Sequence, residues 1–430
     1  MELYIIGCTV LLGLYLAWTI GANDFANSMS DAVGSGALSI RGAVIMGALC
    51  EFAGSTLVGS SVTDTVRRGI VSPHHFVDTP EMLALGMISA LLATAIWLHV
   101  ATWIGMPVST THSIVGAIAG FGMVAAGLSC VEWSKFGGIV LSWLISPVAG
   151  AALGFLLFKS ISILILRRER PLRAAILFAP FFVFLTVFIV AMSTLFKGLD
   201  HMLHKHNIIL TGGRALLISV GAAIVCTVIA RVIIQLYVVG RDRLPLADQL
   251  RLVEGIFTPL VIITSCSVAF AHGANDVANA IGPVAAVLDI VRSGTVKMRV
   301  FVPFWVLAMG GFGIVLGLAT SGHRVMKTLG TKITQLTPSR GTAADLATVA
   351  TVLVCTRLKM PVSTTHTIVG AIIGVGFARG LGAVNKRVTR DIFGSWLITV
   401  PAAGLLTVVL FLIARAAGLG GLILEAMPNP

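Results

Sequence analysis

Gly-Ala-Asn-Asp-Phe-Ala-Asn at Gly21–Asn27 returns as Gly-Ala-Asn-Asp-Val-Ala-Asn at Gly273–Asn279, and Met-Pro-Val-Ser-Thr-Thr-His stands at both Met106–His112 and Met360–His366. The copies keep their order and lie 252 (273 less 21) and 254 (360 less 106) residues apart, so one ancestral half is used twice. Each copy sets a carboxylate, carboxamides and hydroxyls in surroundings as apolar as a bilayer interior. Such groups are costly there and mark a route for something polar. Two copies point to one site built between two halves, the organisation of secondary transporters.

The rest of the chain agrees with a membrane class. Hydrophobic residues make up 57% and charged residues 11% of 430, and the mean hydropathy is +0.97. A chain of this length supplies roughly ten to twelve spans of about 20 residues and leaves no room for a sizeable soluble domain. Glycine, at 46 residues, suits helices that pack closely or break in lipid. The formal charge of +12 is spread in short clusters between apolar runs: Arg67-Arg68, Arg167-Arg168-Glu169-Arg170 and Lys386-Arg387. That is the pattern of membrane-flanking loops, and with no aromatic-basic surface it excludes nucleic acid as a partner. The six cysteines (Cys8, Cys50, Cys130, Cys226, Cys266, Cys355) lie in or beside apolar segments without C-x-x-C spacing. They read as small buried residues. Residues 3–20, preceded by the acidic Glu2, read as a retained span and not a cleaved signal.

Apolar runs fall at about 3–20, 42–60, 82–104, 111–128, 136–159, 174–196, 213–239, 256–272, 300–320, 341–358, 366–384 and 391–414. The expected fold is therefore all-α and polytopic, with about twelve transmembrane helices, broken or re-entrant at the motifs. Trp143-Leu144-Ile145 before Pro147 answers Trp396-Leu397-Ile398 before Pro401. This alignment assigns 1–159 to a first repeat, 160–255 to an inserted two-span linker region and 256–430 to a second repeat. The copies open at the first and eighth spans, an odd separation, so they are expected to run oppositely through the membrane. Loops following odd-numbered spans carry more Lys and Arg, which places both termini outside the cytoplasm.

A bare Asp at mid-membrane costs about 2.5–3.5 kcal/mol, and no Lys or Arg lies near Asp24 or Asp276 in sequence. A bound cation is the natural partner, since hard ions take carboxylate, carboxamide and carbonyl oxygens. Asn23 and Asn27, with Asn275 and Asn279, offer such oxygens at helical spacing, and Gly21 and Gly273 permit local unwinding that frees carbonyls. The competing view makes the Asp residues helix caps paired with distant basic groups. Pro107 and Pro361 mark a break. Ser109, Thr110 and Thr111, with Ser363, Thr364 and Thr365, are capping types ahead of apolar runs. A free helix N-terminus with three added hydroxyls suits a small tetrahedral oxyanion, although capping alone also explains it. His112 and His366 fit a gating or proton-carrying role, a metal-ligand role or a structural one, and there is no His/Cys spacing for zinc. Glu51 and Asp345 are further cation-site candidates, with Arg340 as an alternative partner for Asp345. Asp31, Asp64 and Asp289 are expected at the interface.

On these residues the chain resembles the inorganic phosphate transporter (PiT) family, marked by two copies of Gly-Ala-Asn-Asp and two of Pro-x-Ser-Thr-Thr-His, here Gly21–Asp24, Gly273–Asp276, Pro107–His112 and Pro361–His366. The resemblance covers essentially the whole chain, including Thr337-Pro338-Ser339-x-Gly341. It implies import of inorganic phosphate driven by Na⁺ or H⁺, with Na⁺ favoured, by an alternating-access carrier in the plasma (inner) membrane, with homodimers and without a cofactor or catalytic residues. By motif position it implies that Asp24, Asn27, Asp276 and Asn279 serve the cation and that the Ser-Thr-Thr triplets line the phosphate site. Family members commonly carry Glu where this chain has Asp345, a shorter reach with the same charge. The large hydrophilic loop of animal members is absent, as in bacterial or archaeal types. Two alternatives stand beside phosphate symport: a sulfate or thiosulfate permease of the same fold, and a membrane hydrolase using Ser109, His112 and Asp24. The doubling of the motifs counts against the hydrolase, because a nucleophile–base pair has no need of an inverted copy.

Overall fold

The structure is a computed structural model, and it describes residues 1–59, 70–195, 211–241, 243–297, 300, 302–357 and 362–428. Asp64, Arg67, Arg68, Met360 and Pro361 lie outside the described residues. Each apolar run falls on one long helix: α1 (Glu2–Gly34), α2 (Ile40–Val58), α3 (Pro80–Trp103), α4 (Thr110–Ala126), α5 (Trp133–Ile161), α6 (Pro171–Ser193), α7 (Gly212–Val238), α8 (Leu246–Ser293), α9 (Phe304–Ser321), α10 (Pro338–Arg357), α11 (Thr364–Arg379) and α12 (Lys386–Ala416). Among the described residues nine of these, all but α4, α10 and α11, are long and apolar enough to cross a membrane. At about 1.5 Å per residue, α4 and α11 reach only about 25 Å, short of a hydrocarbon core of about 30 Å.

The helices end and begin where local chemistry dictates. α3 stops in a Schellman turn: Gly105 adopts φ +73°, Met106 N–H bonds Ala101 O and Gly105 N–H bonds Thr102 O. Glycine makes this conformation accessible, and Pro107 then prevents the helix from resuming. After residues 106–108, Ser109 caps α4 by accepting His112 N–H at 3.3 Å. Ser363 caps α11 through His366 N–H at the same distance.

Unwinding at Gly21 and Gly273 does not occur. Both Gly-Ala-Asn-Asp motifs sit inside continuous helices, α1 of 33 residues and α8 of 48. The glycines serve close approach instead. A Cβ on Gly21 would collide with the Ile314 carbonyl of α9, and one on Gly273 with the Glu51 carbonyl of α2. The same packing recurs at the short helices: Gly116 and Gly120 of α4 meet the Val400 and Gly404 carbonyls of α12, and Gly370 and Gly374 of α11 meet those of Pro147 and Ala151 on α5. Small residues four apart let helices associate in lipid through direct backbone proximity. Each of these four crossings joins a helix from the N-terminal half of the chain to one from the C-terminal half, so the halves interlock. α6 and α7 pack on each other, and α8 runs unbroken across residues 255 and 256. The large apolar side chains of α7, such as Leu217, Val228 and Leu236, point outward, as expected of a lipid-facing span. Cys8 and Cys226 are also exposed and Cys50 and Cys266 half-buried, so only Cys130 and Cys355 are buried as expected. None of the six is joined in a disulfide among the described residues.

Candidate functional site

α1 and α8 bring their motifs to the centre of the bundle, where α4 and α11 meet end to end. Ser363 Oγ lies 2.9 Å from Ser109 Oγ, so the two Ser-Thr-Thr triplets form one cluster. The aspartates bind into it by exchange. Asp24 accepts hydrogen bonds from Thr110 at 2.5 Å and from Thr365, across the copies, at 3.3 Å. Asp276 accepts from Thr364 at 3.2 Å and from Thr111, again across the copies, at 3.4 Å. Each carboxylate also accepts from the carboxamide one turn on: Asn27 to Asp24 at 3.0 Å and Asn279 to Asp276 at 2.9 Å. Asn27 donates further to Thr365 at 2.8 Å and Asn279 to Thr111 at 3.4 Å. The i, i+3 spacing on a continuous helix puts each Asp–Asn pair on one face.

Asn23 is placed differently from Asn27. Its Nδ2 donates to Thr102 Oγ1 at 3.0 Å and to Met106 O at 3.1 Å, and its Oδ1 accepts Val108 N–H at 3.1 Å. It therefore grips the extended segment before α4 as a neighbouring strand would. Asn275 is half-buried, and the segment 358–361 that corresponds to 104–107 lies outside the described residues. By contrast, Asn27 Oδ1 is buried with no hydrogen-bond partner among the described residues. An orphaned acceptor beside a carboxylate, away from water, is costly and fits a hard cation.

Sequence reasoning passed over His272, the residue before Gly273. It is fully buried, with Nε2 3.3 Å from Asp276 Oδ2 and 3.6 Å from Asp24 Oδ2, and Nδ1 3.2 Å from Glu51 Oε1. Among the described residues, every basic side chain within 4 Å of these three carboxylates is His272. Ligand atoms of Asp24, His272 and Asp276 all lie within 4.8 Å of one another. Glu51 also accepts from Ser28 at 3.1 Å. The first motif has Ile20 where the second has His272, and Ile314 packs on Gly21 as Glu51 packs on Gly273. The crossing at Gly273 thus carries a His–Glu pair, His272 from α8 and Glu51 from α2, where the crossing at Gly21 carries two isoleucines, Ile20 and Ile314. The available signal was a histidine inside an apolar run directly before the motif.

Asp345 is buried on α10, a separate place from the Asp24–Asp276 cluster. It accepts from Ser265 at 2.6 Å and Thr264 at 2.9 Å. Arg340 is not its partner: that guanidinium donates to Gln335 O and lies over Phe158. Asp31, expected at the interface, is instead buried with its carboxyl against that of Asp345. Asp289 does reach a partner near solvent, Lys297 at 2.9 Å. In the Thr-Pro-Ser stretch, Ser339 donates its N–H and Oγ to Glu254, each at 2.8 Å, which caps α10 from α8.

A helical membrane bundle with two buried carboxylates and a doubled hydroxyl cluster at the meeting point of two half-length helices is a carrier for polar solutes. Comparison with known proteins narrows the class. Residues 20–407 match the phosphate transporter family, and the chain belongs to that family. A protein of Thermococcus kodakarensis provisionally named a phosphate permease is 46% identical over 95% of this chain and 98% of its own length. The chloroplastic inorganic phosphate transporter 2-1 of Arabidopsis thaliana is 42% identical over 93% of this chain and 70% of its own. A solved structure described as the sodium-dependent phosphate transporter superposes with a TM-score of 0.85 at 39% identity, covering 96% of this chain and 99% of that one.

Proposed function

We propose that the chain is a multi-pass symporter that imports inorganic phosphate together with Na⁺, by alternating access between two inverted repeats, as a homodimer in the plasma membrane with both termini outside the cytoplasm. The observation that carries this reading is the exchange of Thr110, Thr365, Thr364 and Thr111 between Asp24 and Asp276. A threonine hydroxyl has one hydrogen to donate. All four hydrogens are committed to carboxylates. A phosphate seated at the N-termini of α4 and α11 needs those same hydrogens. A cation held by Asp24, Asp276, Asn27 and Asn279 replaces the hydroxyls as the compensation of the carboxylates and releases them to the anion. It also removes the repulsion that two nearby carboxylates exert on phosphate. Anion affinity then depends on cation occupancy through differential interactions alone. The sodium-dependent neighbour supports Na⁺ over H⁺.

The test is uptake of labelled phosphate into proteoliposomes with Na⁺ and H⁺ gradients imposed separately. Accumulation driven by an inward Na⁺ gradient at equal pH is expected, as is its loss in Asp24→Asn and Asp276→Asn proteins that still insert. Normal Na⁺-driven accumulation in both variants would overturn the assignment, and competition by excess sulfate would redirect the anion.

A further inference from the structure

We propose that His112, Trp143, His366 and Trp396 form a clamp that sets the spacing of the two hydroxyl triplets, making these four positioning residues for the anion site. The clamp rests on the transport function proposed above. His112 and His366 are the third residues of α4 and α11, and helical side chains lean toward the N-terminus. Both rings therefore lie beside the helix starts. His112 lies tilted by 31° against Trp143 with centroids 3.5 Å apart, and His366 stacks on Trp396 at 3.6 Å. The two imidazoles meet edge to face at 4.1 Å.

Each tryptophan also reaches the other copy's motif. Trp396 Nε1–H donates to Pro107 O at 3.3 Å. His366 Nδ1 lies 3.3 Å from Trp143 O. A tryptophan thus holds its own histidine by its face and the opposite motif by a polar atom. The Ser109–Ser363 contact at 2.9 Å lies across the plane where the two helices are drawn together. His366 Nδ1 faces Trp143 O, His112 Nδ1 and Nε2 and His366 Nε2 have no hydrogen-bond partner among the described residues, and the ring contacts are those with Trp143, Trp396 and each other.

The test compares His112→Ala, His112→Gln and His112→Phe in proteoliposomes, with monodispersity in detergent as the folding check. Loss of two ring contacts predicts a phosphate KM about tenfold higher in His112→Ala and His112→Gln at saturating Na⁺. Half-saturation by Na⁺ should stay unchanged, and His112→Phe should remain within about threefold of the parent KM. Full activity in His112→Gln with loss in His112→Phe would overturn the clamp in favour of a polar role, and an unchanged KM in all three would remove it altogether. A second readout needs no transport: a Ser109→Cys/Ser363→Cys pair oxidised by copper phenanthroline in membranes and quantified by peptide mass spectrometry. Crosslinking should be fast in the parent and His112→Phe backgrounds and slow in His112→Ala. Equal rates in all backgrounds would refute the clamp, whereas the expected rates without phosphate uptake would refute only the transport reading.

Discussion

Asn23 decides between two roles that look alike on paper. As a cation ligand it would lose Na⁺ affinity on truncation, and as the grip on residues 106–108 it would lose phosphate affinity. Asn23→Ala removes the partners of Met106 O and Val108 N–H, which the native carboxamide satisfies at 3.1 Å each. A buried neutral group left unpaired costs about 1–3 kcal/mol, so two at about 1.5 kcal/mol sum to about 3 kcal/mol. At about 1.4 kcal/mol per decade that is a ceiling of about a hundredfold on phosphate KM, reached if the whole cost falls on the bound state. Water entering the space lowers it toward about tenfold. The assay is initial-rate uptake in proteoliposomes, with phosphate varied at saturating Na⁺ and then Na⁺ varied at saturating phosphate. Asn23→Ala should raise phosphate KM and leave the Na⁺ half-saturation in place. Asn27→Ala, which deletes the orphaned Oδ1, should do the reverse. An Asn23→Ala protein with normal phosphate KM and a shifted Na⁺ curve would refute the grip and restore the ligand role.

Thr365→Val removes a donor from Asp24 without adding charge. If that hydroxyl competes with the cation as proposed, Na⁺ binding to the phosphate-free protein should tighten while phosphate affinity falls, as read by calorimetry; weakening of both would contradict the exchange. Gly21→Ala places a Cβ against the Ile314 carbonyl, and since a backbone atom cannot rotate away, a loss of about 1–3 kcal/mol is expected. The check is the thermal midpoint in detergent, with Gly36→Ala not a fair control because Gly36 has positive φ and Gly137→Ala, which meets nothing within 4 Å, a suitable one.

Periodicity, breakers and repetition made much of the fold legible. The twelve apolar runs each correspond to a helix, and Pro107 with Ser109 marked the restart of α4, because local sterics and capping act within a few residues. The glycines of the first motif misled, since freedom to unwind and freedom to pack are the same property of a missing Cβ. Only the neighbouring carbonyls of Ile314 and Glu51 decide between them, and those lie far off in sequence. His272 escaped notice because the reading followed what both copies share, and its counterpart is Ile20. The second role of Asn23 was equally hidden: one carboxamide can serve a cation or a backbone segment, and its backbone partners Met106 and Val108 lie 83 and 85 residues away.

The interlocked copies give the coupling a structural reason. If each copy kept its own threonines, a cation on Asp24 would release one triplet and leave the other bound to Asp276. The exchange forbids this separation. Asp24 holds hydroxyls from both triplets, and so does Asp276. Occupying one carboxylate therefore disturbs both helix starts, and an anion bridging α4 and α11 meets a complete set of free donors only when both carboxylates are satisfied. In the proposed mechanism, cooperation between two cation positions would follow from hydrogen-bond valence in a buried site, without any long-range relay. The His272–Glu51 pair adds a difference between the halves that the four threonines lack. Under the proposed mechanism, cations at Asp24 and Asp276 would meet unequal surroundings, and two steps of loading would differ although the motifs that make them are nearly identical.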